Sequence, residues 1–109
     1  MKKDVVFTRK GEVLTATIKC DLDHHAAKGV REKIDEMLFC FRPQMLVLDF
    51  SDVEFMDSSG LGLILGRVEK AGTINSKVQL TGLAPRLSRL ISLSGIERIQ
   101  GLSLIGKRE

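Results

Sequence analysis

What these 109 residues lack narrows the field first. There is no tryptophan and no tyrosine, and five phenylalanines are the entire aromatic content. Single-stranded nucleic acid is held by stacking bases on aromatic platforms. That class of ligand is therefore disfavoured, and the core has to be built from Leu, Ile and Val. Only two cysteines occur, Cys20 and Cys40, with no C-x-x-C pairing. Such usage fits two reduced thiols better than a disulfide framework or a metal site. No long apolar run opens the chain, and the longest apolar stretch, Leu61 to Leu65, is broken by Gly62. A membrane helix needs about 20 such residues, so the expectation is a cytoplasmic protein without a membrane partner. Linkers, low-complexity tracts and internal repeats are absent as well.

What is present matches an ordinary globular domain. Hydrophobic residues make up 43% and charged residues 28%, and no segment combines high charge with low hydrophobicity as disordered chains do. The length suits one domain spanning 1–109. The net charge of +3 is spread over scattered basic residues, with the pairs Lys2-Lys3 and Lys107-Arg108 at the ends. That reads as a solvated surface and not as a nucleic-acid footprint.

Periodicity supplies the elements. Val5 to Thr8 and Val13 to Ile18 alternate apolar and polar residues around Lys10-Gly11, the pattern of a two-stranded hairpin. Asp23 can cap a helix whose apolar residues Ala26, Val30, Ile34, Met37, Leu38 and Phe41 recur at steps of three and four, and Arg42-Pro43 stops it. Met45 to Phe50 reads as a central strand covered on both faces. A second helix starts near Ser58, carries Leu61, Ile64, Leu65 and Val68, and ends at Gly72. Val78 to Leu80 forms another strand, and Pro85 opens a third helix with Leu87, Leu90 and Ile91 that ends at Gly95. Ile96, Ile99, Leu102 and Leu104 suggest a final short strand before a frayed end at Gly106 to Glu109. The order implies an α/β fold with a mixed sheet of four to five strands and about three helices.

The chemistry concentrates at Asp57-Ser58-Ser59-Gly60-Leu61-Gly62. A turn between a strand and a helix offers backbone N–H groups and the positive end of the helix dipole to an anion, so a phosphate on Ser58 is welcome there. The plainer alternative is that Asp57 or Ser58 only caps the helix and the glycines only permit the turn and the helix's approach to the sheet. A serine hydrolase is a poor fit: G-x-S-x-G lacks its first glycine here, and the only bases, His24 and His25, sit together at a helix start. The glycines are spaced one residue too far for a dinucleotide fingerprint and lack the lysine of a P-loop. Asp21-Leu22-Asp23-His24-His25 gathers potential metal ligands, but adjacent histidines diverge and no distant ligand joins them. No cofactor and no metal are expected.

Three segments carry a resemblance: FMDSSGLGLILGR at Phe55 to Arg67, DLDHH at Asp21 to His25, and SGIERI at Ser94 to Ile99. Together the chain resembles the anti-sigma factor antagonists of the STAS domain family, above all the sporulation-stage members. The resemblance implies a single STAS-like domain that is a substrate of signalling enzymes and not an enzyme itself. It implies phosphorylation of Ser58 by a partner that is both anti-sigma factor and serine kinase, and removal of the phosphate by a PP2C-type phosphatase. The unphosphorylated form would bind the anti-sigma factor and release the sigma factor for transcription. Asp23, Asp57, Ser58, Ser59, Gly60 and Leu61 are the implied partner-binding residues. Related chains usually continue into a further C-terminal helix, which is expected to be short or missing here. A STAS scaffold or regulatory subunit of another signalling or transporter assembly is the alternative.

Overall fold

The computed structural model describes residues 4–107, with the backbone alone for Gly106 and Lys107. Nine elements follow in order: β1 (Val5–Lys10), β2 (Val13–Ile18), α1 (His24–Phe41), β3 (Met45–Asp49), α2 (Ser58–Gly72), β4 (Lys77–Leu83), α3 (Pro85–Ser94), a short 3-10 turn (Ile96–Arg98) and β5 (Leu102–Lys107). The sheet order is β1-β2-β3-β4-β5. β1 and β2 are antiparallel and the remaining neighbours are parallel. The hairpin turn has two residues, Gly11 and Glu12, between the paired Lys10 and Val13. Of the two only Gly11 has a positive φ, +59°, which is what a II′ turn asks of its first central residue.

Because strand order follows chain order, successive crossovers of one hand deliver α1, α2 and α3 to the same face of the sheet. Burial follows that arrangement. Leu14, Ala16, Ile18, Leu46, Leu48, Val78 and Leu80 are buried beneath the helices and share one core with Val30, Ile34, Leu38, Leu63, Ile64, Leu87 and Ile91. On the opposite face Thr15, Val47, Gln79 and Thr81 are only partly covered, and Val6, Thr8 and Ile105 are exposed. β3 is therefore covered fully on one face, not on both as its unbroken apolar run suggests. Val47 lies between Thr15 and Gln79 on the thinly covered side.

Further differences are local. The buried stripe of α1 begins at Ala27, not Ala26. At about 100° per residue, Ala27 lies within roughly 20° of Ile34 and Leu38, whereas Ala26 is swung away by roughly 80° and 120°. α2 does end at Gly72, but that glycine does not supply the left-handed residue; Asn75, at φ +59°, does. Asparagine is one of the few residues that enter this region at low cost. Pro85 at the first turn and Gly95 at φ +79° bound α3, as their positional preferences require. Ile96 and Ile99 belong to the 3-10 turn and its exit, so the last strand starts only at Leu102. It continues through Gly106 and Lys107, where a frayed end is expected, while Arg108 and Glu109 lie outside the described residues. Among the described residues no helix follows β5, and none is long and apolar enough to cross a membrane.

Gly82 shows why sequence alternation fails late in β4. It has φ +73°, and a Cβ there would stand 2.5 Å from the Ser51 hydroxyl and 2.8 Å from an Asp49 carboxylate oxygen. That oxygen accepts from the Ser51 N–H at 2.9 Å and also from the Ser51 hydroxyl. The glycine leaves room for this turn, and its backbone re-aims Leu83 into the core beside Ala84.

Candidate functional site

The candidate site forms where two loops meet beyond the C-terminal ends of β2 and β3. Leu22 and Met56 make an isolated parallel bridge. The Leu22 N–H donates to the Phe55 carbonyl at 3.0 Å, and the Asp57 N–H donates to the Leu22 carbonyl at 3.3 Å. Asp21 reinforces the junction, its Oδ1 accepting from the N–H groups of Glu54 at 2.9 Å and Phe55 at 3.1 Å. Leu22 and Met56 are both buried, so the junction is anchored in the core while the residues on either side of it reach solvent.

This zipper sets two helix starts side by side. Asp23 caps α1, its Oδ1 accepting from the Ala26 N–H at 2.8 Å. Asp57 caps α2, its Oδ1 accepting from the Ser59 N–H at 2.8 Å. Ser58 is the first residue of α2 and is exposed. The cap is thus Asp57, which leaves the exposed Ser58 in the first turn of α2 without a capping role. Asp23 is exposed, Asp57 and Ser59 are half-buried, and Leu61 is half-buried with its side chain packed on the core.

Gly60 differs from its neighbours. It is buried, and a Cβ would stand 2.7 Å from Met56 Sδ and 2.9 Å from Met56 Cβ. It therefore serves the turn from beneath and offers no surface. Gly62 and Gly66 do not bring α2 close to the sheet, because a Cβ at either meets nothing within 4 Å. Gly62 instead opens a groove of about 550 Å³ between α1 and α2, bordered by His24, Lys28, Arg31 and Ser59. Both histidines are exposed on the first turn of α1. Among the described residues no three His, Cys, Asp or Glu side chains gather as a metal site.

Sequence reasoning missed Arg67, which is only 2% exposed in the seam between α1 and α2. Its Nε lies 2.8 Å from Asp35 Oδ1, in an alignment too poor for a hydrogen bond, and Nη1 has no partner among the described residues. Burial pushes the guanidinium pKa down, Asp35 opposes the shift, and Arg31 adds to it. The signal was available: Arg67 stands on the same stripe as Gly60, Leu63, Ile64 and Ala71, where a charge is seldom tolerated without a partner.

A five-stranded mixed sheet with helices on one face and a capped Asp-Ser-Ser-Gly turn beyond the C-terminal end of its central strand defines a class. The STAS domain family model matches residues 4–105, and the chain belongs to that family. Its relatives narrow the class further. An anti-sigma F factor antagonist of Paenibacillus polymyxa is 34% identical over 87 residues, 80% of this chain and 74% of that protein. An anti-sigma-B factor antagonist of Listeria monocytogenes is 32% identical over 79 residues, 72% of this chain and 68% of the other. Among solved structures, the phosphorylated form of the Bacillus cell fate determinant SpoIIAA is similar with a TM-score of 0.70 at 25% identity, covering 94% of this chain and 91% of that one. An anti-sigma factor antagonist from Mycobacterium paratuberculosis, at 24% identity, shares the fold with a TM-score of 0.79 over 91% of this chain and 83% of its own.

Proposed function

We propose that this chain is an anti-sigma factor antagonist whose binding is switched by phosphorylation of Ser58. The observation that carries the reading is the exposed Ser58 at the start of α2, with two cap carboxylates, Asp23 and Asp57, on the loops joined beside it. The names of the relatives support the same role, and SpoIIAA, a structural relative, is known in a phosphorylated form. In this reading the protein has no catalytic activity. Its partners are an anti-sigma factor that is also a serine kinase and a PP2C-type phosphatase, it works in the cytoplasm, and it touches neither DNA nor membrane.

The electrostatics suit a switch. A phosphoserine carries about −1.5 to −2 charges and three acceptor oxygens, which the N-terminal end of α2 tolerates. The fold is kept because Asp57, not Ser58, holds the cap. A partner that covers the turn has to desolvate that new charge beside Asp23 and Asp57, and each ~1.4 kcal/mol of penalty is tenfold in affinity.

The deciding measurement is phosphopeptide mass spectrometry after incubating the protein, and separately Ser58→Ala, with ATP and the anti-sigma kinase of the same organism. A single phosphate at Ser58, absent from the variant, is expected. If the protein stays unmodified while the kinase phosphorylates an established antagonist, the reading fails and the turn is a docking surface of a STAS scaffold.

A further inference from the structure

Beyond the Ser58 turn, an apolar patch lies exposed on the same side of the molecule. Phe55 is 47% exposed and Leu93 81% exposed. With Leu90 they line a shallow groove of about 310 Å³ between α3 and the loop that leads into α2, floored by the buried Met56 and Leu87. Large apolar side chains scattered singly need no explanation, but a contiguous set forming a concavity marks an interaction site. Two arginines, Arg86 and Arg89, border the groove from α3, and both are exposed.

We infer that this groove is a second half of the docking surface and takes an amphipathic segment of the partner that carries acidic residues beside its apolar ones. The inference rests on the partner-binding reading of the Ser58 turn, because Phe55 is separated from the Asp57 cap by Met56 alone and the two surfaces are continuous. Spacing supports it. Arg86, Leu90 and Leu93 recur at steps of four and three, so they line one face of α3, and an amphipathic segment reads such a face through apolar anchors with charges beside them. The charge order sets polarity: carboxylates of Asp23 and Asp57 at the turn, then Phe55, then the guanidiniums of α3. A partner laid across has to offer positive charge to the turn and carboxylates to α3, and planar guanidiniums hold carboxylates in bidentate geometry. An anionic bilayer fits less well, because the exposed Asp23 and the Asp57 cap sit beside the patch and repel it.

The test uses isothermal titration of the full chain with the purified anti-sigma factor of the same organism, at two salt concentrations. Four proteins are compared: wild type, Ser58→Glu, Leu93→Ser and the double variant Arg86→Glu with Arg89→Glu. Leu93 and the arginines are exposed, so folding is unaffected, as circular dichroism should show. The expected result is binding by wild type and at least tenfold weaker binding by Leu93→Ser and by the arginine variant. The arginine variant should also show a flatter salt dependence than wild type, the mark of lost charge complementarity. If Ser58→Glu abolishes binding while the α3 variants bind within twofold of wild type, the groove is not part of the interface and the inference falls alone. If wild type does not bind, the partner reading fails and takes the inference with it. Binding of wild type, but not of the arginine variant, to phosphatidylglycerol vesicles would assign the patch to a membrane and overturn it.

Discussion

Replacing Gly60 by alanine tests whether the Asp57-Ser58-Ser59-Gly60 turn is held from below. The added Cβ would stand 2.7 Å from Met56 Sδ, 2.9 Å from its Cβ and 3.0 Å from its Cγ, against about 3.5–4.0 Å for an ordinary carbon contact. The sulfur and Cγ can swing aside, but the Met56 Cβ moves only with its backbone. That backbone is tied to Leu22 by the bridge and by the hydrogen bond from the Asp57 N–H. Overpacking of this kind costs about 1–3 kcal/mol, and alanine's better helix propensity returns about 0.5–1 kcal/mol. The difference spans about 0–2.5 kcal/mol, and because the Met56 Cβ cannot swing aside the expected net loss lies in its upper part, about 1–2 kcal/mol, or a fall in Tm on the order of 5–10 °C for a domain of this size. Urea unfolding followed by circular dichroism at 222 nm measures it, with an unchanged m-value expected because the unfolded chain exposes the same surface. In a Met56→Ala background the Sδ and Cγ contacts disappear but the Cβ contact stays, so the penalty of Gly60→Ala should shrink without vanishing. A Gly60→Ala protein as stable as wild type would refute the reasoning, since it would mean the turn gives way freely.

Asp57→Ala removes the cap of α2 and should cost about 1 kcal/mol in urea unfolding; it should also loosen the Ser59 amide, seen as faster hydrogen exchange there, while the α1 cap at Asp23 is unaffected. Arg67→Met leaves Asp35 half-covered and unpaired and should destabilise by about 1–3 kcal/mol, and adding Asp35→Leu should recover most of that loss, because a well-packed apolar pair commonly replaces a buried ion pair without penalty. Failure of the double variant to recover would indicate that the pair also sets how α1 and α2 align.

Much of this architecture is legible in the chain because local signals and tertiary demands agree. The steps of three and four in α1 from Val30 onward, the Asp23 cap and the Pro85 and Gly95 bounds of α3 each act within a few residues, and each stands as the pattern predicts. In α2 the expected stripe is displaced: Gly60, Leu63, Ile64, Arg67 and Ala71 are buried, so of Leu61, Ile64, Leu65 and Val68 only Ile64 is fully covered and Leu65 is 43% exposed. What is not legible depends on pairing across the fold. An apolar run such as Leu46-Val47-Leu48 cannot say how many of its faces are covered, since that depends on which side the crossovers send their helices. The spacing of Gly60, Gly62 and Gly66 cannot separate the one glycine pressed against Met56 from the two that face open space.

The candidate site itself divides along the same line. The cap-and-serine motif at Asp57-Ser58 is local and can be read directly, whereas its junction with Asp21 and Leu22 joins residues more than thirty positions apart. That junction decides how the site works. Asp21, through its carboxylate, and Leu22, through its amide and carbonyl, hold the backbone of 54–57, and none of these groups belongs to the Ser58 side chain. A phosphate there would alter the potential of the surface while the scaffold beneath keeps its hydrogen bonds. Because the bridge sets the Asp23 cap beside that serine, the new charge would be added where carboxylates already stand, and a partner drawn to acidic groups would meet more negative charge than it can pair. On the proposed reading the repulsion would fall on the bound state, since only there is water removed from the three groups, so phosphorylation would act on affinity and leave folding stability almost unchanged.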